Sequence, residues 1–306
     1  MMTAEQQALR RTGIGASEVA AVLGLPSFRS PLDVWLSKTE GTEAAETFDL
    51  VRGQVLESAV ASLYEHETGI ALDPGGESVA HPLCPILRAT CDRFARLEPR
   101  HPVELKTVRG SMRHEFGEPG TDDVPAQYLV QVQAQMACVG AGRAELAALV
   151  AGDELRIYCF TRDAELESQM LEAVSRWWRD YVVTRTPPPV DGSSAWAERL
   201  ASMPRQRKLV TPTAELQLAV QALRGAKAAA KVAEAEEKRL RNELLALMGD
   251  ADGIEGLATY KETKGRPSTD WRALCAEAGV RAELIEKFTS RTPFRSLRLL
   301  GGNDGD

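Results

Sequence analysis

The chain has 306 residues, enough for one large domain or two smaller ones, and 43% of them are hydrophobic. This composition is typical of a globular protein and excludes a disordered or fibrous one. The formal net charge of −7 argues against a protein that coats nucleic acid nonspecifically, although a local basic groove can coexist with an acidic exterior.

Membrane and disulfide signals are missing from the sequence. It has no run of about 18 apolar residues and no apolar signal core at its start, so we expect a cytoplasmic protein that does not contact membranes. The five cysteines form no C-x-x-C pair, which argues against a disulfide framework and against a zinc or iron–sulfur site. We expect them to be buried as small apolar residues.

Three helices are predicted in the first part of the chain. A short helix within residues 12–24 has Ser17 as its N-cap and Glu18 in its first turn. A second helix begins near Pro31, and a third covers residues 50–68. The apolar face predicted for this third helix consists of Val51, Val55, Ala59 and Leu63.

Strands are predicted next. The periodicity between residues 77 and 108 predicts three strands in an antiparallel meander, the last over residues 103–108. Two further strands are predicted over residues 144–150 and 154–160, and a helix over residues 164–183.

A helix is also predicted between these groups of strands, over residues 125–139. Its buried stripe should contain Leu129, Val132, Met136 and Val139. Gln127, Gln131 and Gln135 then project from a different face of the helix.

The sequence predicts a division into a domain over residues 1–190, a linker over residues 191–212 and a C-terminal part over residues 213–306. A proline-rich stretch marks the start of the linker. Residues 213–248 have the three-four spacing of a coiled-coil-like helix, about 50 Å long if unbroken. A hairpin, a short helix and a last strand are predicted after it, over residues 253–264, 271–278 and 294–300.

Glu104, Leu105 and Lys106 form a triplet that suggests chemistry. Alternate side chains share a face of a strand, so Glu104 and Lys106 point the same way while Leu105 faces the core. With Asp92 on a neighbouring strand, this is the layout of a metal-dependent phosphodiesterase. Asp92, Glu104 and the Leu105 carbonyl are hard oxygen ligands suited to Mg²⁺ or Mn²⁺. Lys106 would orient the attacking water or favour its deprotonated form.

Glu57 is a further candidate ligand. It follows the apolar Val55 and Leu56 on the third helix, and a carboxylate on a buried helix needs a partner. The alternative is an ordinary exposed glutamate on an amphipathic helix. A Glu-x-Lys triplet also occurs by chance on many solvated strands.

Five segments in chain order resemble the YqaJ-like viral recombinases, relatives of phage lambda exonuclease within the PD-(D/E)xK nuclease superfamily. They are residues 10–18 (RRTGIGASE), residues 52–57 (RGQVLE), Asp92, residues 104–106 (ELK) and residues 127–133 (QYLVQVQ). The resemblance covers about residues 10–185. It implies an α/β fold with a mixed sheet, in which a restriction-endonuclease-like core is flanked by helices. A long helix and a small α+β appendage follow this core.

The resemblance also implies an activity. By its resemblance to this family, the protein is expected to be a magnesium-dependent exonuclease. Such an enzyme digests one strand of double-stranded DNA from the 5′ end and leaves a 3′ overhang for a single-strand annealing protein. Asp92 and Glu104 then resemble the metal carboxylates, and Lys106 resembles the catalytic lysine. Glu57 resembles the acidic residue on the helix, and Gln131 the glutamine that reaches toward the site.

Arg10 and Ser17 resemble the pair that holds a terminal 5′ phosphate, with Gln127 in support. An arginine fork and a helix N-terminus both suit phosphate. The alternatives are a solvated terminal charge and an exposed glutamine face. The sequence departs from the family pattern at two positions. Cys91 stands where the superfamily name has proline. Arg93 follows Asp92 where relatives often carry glycine, and this arginine would crowd the turn or add a phosphate contact.

Two other functions remain open. One is an endonuclease or RecB-type nuclease of the same superfamily, although the cysteines lack the spacing of the iron–sulfur members. The other is a non-catalytic DNA-binding recombination mediator, against which the complete acidic and lysine set speaks. The assembly expected by default is a homo-oligomer, a trimeric ring as in lambda exonuclease.

Overall fold

The chain divides into two compact units, Met1–Met203 and Pro204–Asp306. The computed structural model describes residues 4–42, 47–204, 209–262, 264–265, 267–290, 297 and 299. Within this described part, no helix is long and apolar enough to cross a membrane. The N-terminal unit combines helices with two sheets, so the expected mixed α/β fold class is confirmed.

The helices and strands of the N-terminal unit alternate irregularly along the chain. The α-helices are α1 (Ala4–Arg11), α2 (Val19–Val22), α3 (Pro31–Thr39), α4 (Phe48–Thr68), α5 (Ala126–Val139), α6 (Ala164–Trp177) and α7 (Ser194–Ser202). The strands are β1 (Ile14–Gly15), β2 (Leu72–Pro74), β3 (Ser78–Ala80), β4 (Leu87–Thr90), β5 (Arg93–Ala95), β6 (His101–Val108), β7 (Arg143–Val150) and β8 (Glu154–Thr161).

The central sheet has five strands in the order β2-β5-β6-β7-β8. β6 is parallel to β7, and the other neighbouring pairs are antiparallel. β7 is buried along nearly its whole length because helices cover both faces of the sheet, α4 on one and α5 on the other. Leu105 joins the core on the α4 face. Since side chains alternate along a strand, Glu104 and Lys106 point toward α5.

The predicted meander is wrong, because its strands belong to two sheets. β3 and β4 form a small sheet with β1, in the order β1-β4-β3, whereas β5 and β6 belong to the central sheet. The chain passes from one sheet to the other at Cys91 and Asp92, whose carbonyls accept hydrogen bonds from the backbone of Gly76 and Gly75. A Cβ atom at Gly75 would lie 2.0 Å from the Cys91 carbonyl oxygen, so this close approach requires glycine.

The helices at the start of the chain differ from the prediction in two respects. Ser17 lies inside a 3₁₀ turn, Ala16–Glu18, whose N-cap is Gly15, so the predicted capping role of Ser17 is wrong. α3 begins at Pro31 as predicted. α1 was not predicted from the sequence.

The apolar face predicted for α4 is also wrong. Val60, Ala61 and Tyr64 are its buried residues. Glu57 is three residues before Val60 and seven before Tyr64, so it lies on the same face of the helix. The side of this helix that carries Glu57 therefore faces the sheet. The apolar residues on its remaining sides contact solvent. The four residues of the predicted stripe are exposed: Val51, Val55, Ala59 and Leu63.

α5 is buried on more than one side. Val132 and Met136 of the predicted stripe are fully buried against the central sheet. Val130, Ala134 and Cys138 pack on the opposite side, in a core shared with α2, α3 and α6. Because the helix lies between two layers, its glutamines are enclosed as well. Those with less than a tenth of their surface exposed are Gln131, Gln133 and Gln135.

The N-terminal unit continues beyond the predicted domain end at residue 190. α7 occupies the start of the predicted linker, residues 191–212. It buries Ala195 and Trp196, and the Trp196 indole N–H donates to the Pro189 carbonyl at 3.1 Å. An aromatic side chain of this size brings its helix into the core. The N-terminal unit accordingly ends at Met203.

The C-terminal unit consists of a long helix followed by small elements. The helix α8 (Ala214–Met248) has no buried residue. A two-stranded hairpin follows, β9 (Gly253–Ile254) and β10 (Ala258–Thr259), and then the helices α9 (Trp271–Glu277) and α10 (Ala282–Phe288). Except for residues 297 and 299, the predicted last strand, residues 294–300, lies outside the described residues.

The burial of Trp196 predicts a loss of stability when it is removed. Trp196→Ala should lower the free energy of unfolding by about 3–5 kcal/mol, because it leaves a cavity under α7. Trp271, which is 70% exposed, offers the matched control, and Trp271→Ala should change this free energy by no more than about 0.5 kcal/mol. Urea unfolding followed by circular dichroism measures both values. Equal effects of the two substitutions would show that α7 is not part of the N-terminal core.

Candidate active site

Glu104 is a buried carboxylate with donors at both oxygens. Oε1 accepts a hydrogen bond from Gln131 Nε2 at 2.6 Å and lies 2.5 Å from Lys106 Nζ. Oε2 accepts from Gln135 Nε2 at 2.5 Å. The two glutamines are one turn apart on α5 and reach the same side chain. A buried charge requires such partners, so these bonds fix the orientation of Glu104. Gln135 was not selected as a site residue from the sequence, although the four-residue spacing of the glutamines is a signal for it.

Asp92 lies beside β6, between β4 and β5. Its Oδ2 accepts a hydrogen bond from the Leu105 backbone N–H at 2.9 Å. Burial and then the charge of Glu104 raise the pKa of Asp92 above its ordinary value, although Lys106 and this hydrogen bond act in the opposite direction. The N–H and C=O groups of one strand residue point to the same edge. The Leu105 carbonyl is therefore directed to the edge where Asp92 lies.

Lys106 supplies positive charge to this pair of carboxylates. Burial works against its ammonium form, but Glu104 and Asp92 outweigh burial and raise the pKa of Lys106. Its Nζ also lies 5.7 Å from the centre of the Tyr128 ring, within the range of a cation–π contact. About a quarter of the side chain remains exposed. A charged, partly accessible lysine is thus fixed beside two acidic groups.

Glu57 points toward the sheet, but it is paired with Arg93. Arg93 Nη1 lies 2.8 Å from Glu57 Oε1 and donates to the Asp92 carbonyl oxygen at 2.6 Å. Arg93, at the position where relatives often carry glycine, thus links α4 to the turn that holds Asp92. The structure places Glu57 near Asp92 without bringing it into the hydrogen-bonded group around Glu104.

The three residues expected to bind a phosphate occupy neighbouring elements. Arg10 is exposed in the last turn of α1, Ser17 is exposed in the 3₁₀ turn, and Gln127 is half-buried in the first turn of α5. The 3₁₀ turn packs against α5. The contacts described for Glu104, Asp92 and Lys106 include none with these three side chains.

A second buried carboxylate organises this N-terminal region. Glu18 pairs with Arg29 at 2.7 Å and with Lys38 at 2.6 Å, and its Oε2 accepts from the Gly15 N–H at 2.9 Å. Burial opposes its ionisation, but the two cations outweigh burial and lower the pKa of Glu18. Lys38 also donates to the Arg10 carbonyl at 2.8 Å. The sequence gives little signal for this cluster, because its members are spread over 20 positions.

The donor set fits a hard divalent cation in part. Asp92 and Glu104 are adjacent acidic groups, and the Leu105 carbonyl adds a third oxygen at the same strand edge. Within the described residues, however, no three His, Cys, Asp or Glu side chains form a group that could hold a metal ion. A cation here would rest on two carboxylates, one backbone oxygen and water, which is a donor set that Mg²⁺ accepts.

Comparison with known proteins finds similarity over the region that contains these residues. Residues 5–142 match the model of the YqaJ-like viral recombinase domain. The chain is also 28% identical over 250 residues to the uncharacterized protein YqaJ of Bacillus subtilis (strain 168), a match that covers 79% of this chain and 77% of that protein. The matched domain includes Arg10, Glu57, Asp92, Glu104 and Gln131.

Two solved structures share a weaker likeness. The alkaline exonuclease LHK-Exo from Laribacter hongkongensis is 20% identical, with a TM-score of 0.47, and the match covers 65% of this chain and 98% of LHK-Exo. A phage related exonuclease from Haemophilus somnus 129PT is 15% identical, with a TM-score of 0.45, and the match covers 59% of this chain and 99% of that one.

The unequal environments of the two carboxylates predict opposite effects on stability in the metal-free protein. Asp92→Asn should raise the free energy of unfolding, because it removes a charge next to Glu104 and keeps an acceptor for the Leu105 N–H. Glu104→Gln should lower it by about 1.5–3 kcal/mol, because three donors lose their charged acceptor. Urea unfolding in the presence of EDTA measures both changes. A loss of stability in Asp92→Asn would contradict the repulsion between the two groups.

Proposed function

Because residues 5–142 match the model of the YqaJ-like viral recombinase domain, we propose that the protein is a metal-dependent exonuclease that degrades one strand of double-stranded DNA from its 5′ end. The observation that carries this proposal is the group formed by Asp92, Glu104 and Lys106. A binding module has no need for two adjacent acidic groups, and burial and the charge of Glu104 raise the pKa of Asp92. Such an arrangement is typical of catalytic sites.

The chain's own residues would divide the work of hydrolysis among them. Glu104, held by Gln131 and Gln135, is a fixed oxygen donor, and Asp92 and the Leu105 carbonyl complete the set. When bound, Mg²⁺ or Mn²⁺ would neutralise phosphate charge and activate water. Lys106 has its ammonium beside Glu104, where it can orient the water or stabilise charge on the phosphate oxygens.

Glu57 has a supporting role in this proposal. It lies on the face of α4 that is turned to the sheet, and Arg93 connects it to the Asp92 backbone. Arg93 thereby keeps the Glu57 carboxylate close to Asp92 and Glu104. A phosphate that enters the site offers the guanidinium of Arg93 an alternative partner of the same charge.

The 5′ polarity rests on the region around Arg10 and Ser17, with Gln127 as a further contact. Lys38 supports this assignment because it joins the Arg10 carbonyl to Glu18, which in turn binds the Gly15 N–H. The two elements that carry Arg10 and Ser17 are thus held together by buried charges. A 5′-terminal phosphate is a suitable ligand for an arginine and a hydroxyl on these two elements.

The product and partners follow from this polarity. Digestion from the 5′ end leaves a 3′ single-stranded overhang, which a single-strand annealing protein would pair with a complementary strand during phage-type recombination. The site of action would be the cytoplasm. A homo-oligomeric ring of three subunits is the assembly that the resemblance to lambda exonuclease suggests.

The catalytic role of Lys106 predicts a specific loss of activity. The wild-type protein should degrade linear 5′-phosphorylated duplex DNA in Mg²⁺, leave closed circular DNA intact, and stop when EDTA removes the metal. Lys106→Ala should reduce the rate by about 100-fold or more while DNA binding persists. Gel analysis of end-labelled DNA measures the rate. Equal cleavage of circles would favour an endonuclease, and an inert wild type that binds DNA tightly would favour a recombination mediator.

Arg10 predicts a change in the preference for DNA ends. Arg10→Ala should reduce the ratio of rates on phosphorylated and hydroxyl 5′ ends by about tenfold, the size expected for a charged hydrogen bond. The neighbouring Arg11 is exposed and provides a matched control of equal charge. Initial rates on the two kinds of duplex give the ratio. If both substitutions slow both substrates equally, Arg10 does not recognise the phosphate.

A further inference from the structure

Phe28 is an exposed aromatic side chain close to the candidate catalytic lysine. It lies in the turn between α2 and α3 and is 76% exposed. Its ring centre is 6.4 Å from that of Tyr128, which in turn lies 5.7 Å from Lys106 Nζ. Tyr128 is therefore a neighbour of both Phe28 and Lys106. The buried Tyr128 fixes one side of the Phe28 ring and leaves the rest accessible.

A cleft of about 370 Å³ lies beside this aromatic pair. Residues 26–28 line one side, and Glu115 together with residues 125–127 lines the other. This volume is at the low end of the range for small-molecule sites. It has room for one nucleotide.

The lining chemistry favours a neutral, flat group over a phosphate. Pro26, Phe28 and Pro125 present apolar surfaces, whereas Glu115 contributes a carboxylate that repels anions. The described lining residues include no lysine or arginine. A nucleotide at this position would thus keep its 3′ phosphate, the one that is cleaved, near Lys106 and turn its base into the cleft.

We propose that this cleft binds the nucleobase of the terminal nucleotide that is being released, with the base stacked on Phe28. The proposal rests on the function proposed above. Gln127, a candidate contact for the 5′ phosphate, lines the cleft, and Gln131, which holds Glu104, is one helical turn or about 6 Å further along α5. The nucleotide between the two phosphates is the terminal one.

Stacking at this position also suits an enzyme that removes every kind of nucleotide. Each base has a flat face, so an aromatic platform binds bases without selecting a sequence. Among the lining residues, Ser27 contributes a side-chain hydroxyl and Gln127 a side-chain amide. The cleft would therefore contribute affinity for the end of the strand and little base preference.

A cycle of substitutions in protein and DNA tests the proposal. Phe28→Ala should raise KM on linear 5′-phosphorylated duplex by about 5- to 150-fold, which corresponds to 1–3 kcal/mol of stacking. On the same duplex with an abasic 5′-terminal residue, wild type and Phe28→Ala should have equal KM values. Phe28→Trp should retain the wild-type value. Phe48→Ala, at a phenylalanine that is 78% exposed on α4, should leave both substrates unaffected.

If Phe28→Ala raises KM equally on normal and abasic ends, the stacking role is overturned, because damage to the fold does not depend on the base. If the increase in KM disappears only when the second nucleotide from the 5′ end is abasic, the stacking role is also overturned, since the cleft would then hold a different nucleotide.

A binding measurement separates this proposal from the proposed nuclease function. In the doubly substituted Phe28→Trp, Lys106→Ala protein, dAMP and dTMP should quench the fluorescence of the new tryptophan relative to the Lys106→Ala parent. 2-Deoxyribose 5-phosphate should not quench it. If the nucleotides quench the double variant but the wild-type protein does not degrade DNA, the proposed nucleotide site stands and the proposed nuclease function fails. Absence of quenching beside an active wild-type nuclease would reject the nucleotide site alone.

Discussion

The need to satisfy the buried charge of Glu104 determines how the N-terminal unit is packed. A carboxylate that is 3% exposed must receive donors, and Gln131 and Gln135 supply them from α5. α5 must therefore lie across β6 with its glutamines directed at the sheet. Its apolar residues then pack to either side of these glutamines, which joins the central sheet to the helices α2, α3 and α6.

The same principle recurs at two other buried glutamates. Glu18 holds α3 against the 3₁₀ turn through its ion pair with Lys38. Glu145 of β7 accepts a hydrogen bond from the hydroxyl of Tyr64 on α4. Arg143 pairs with Glu145 as well. Each of these carboxylates connects a different helix to the strand or turn beside it. Because a buried charge tolerates few arrangements of donors, such contacts specify position more sharply than apolar packing does.

The sequence predicted best what depends on local periodicity. β6, β7 and β8 alternate or run apolar over eight residues each, and their positions were accurate to within two residues. The face of α4 was wrong because Val51 and Val55 are apolar but exposed, and only the packing of Val60 and Tyr64 on the sheet reveals its orientation. The exchange of sheets at Cys91 depends on a contact with Gly75, sixteen residues away, which no periodicity reports. The grouping of Asp92 with the Glu-x-Lys triplet was predicted from strand placement and strengthened by the resemblance, whereas the roles of Gln135 and Arg93 required the contacts themselves.

The charge of the candidate site gives a reason for its composition. The raised pKa of Asp92 favours its neutral form in the metal-free site, so Glu104 and Lys106 balance each other there, and Arg93 and Glu57 cancel each other. Without a cation, the site therefore offers a phosphodiester no net positive charge. A bound divalent ion would favour the ionised form of Asp92 and give the site one net positive charge, which attracts the backbone. Under the proposed function, metal binding and DNA binding at this site are therefore coupled. Glu115 extends the same logic to the neighbouring cleft, where a negative charge directs the phosphate toward Lys106 and leaves the space beside Phe28 to the base.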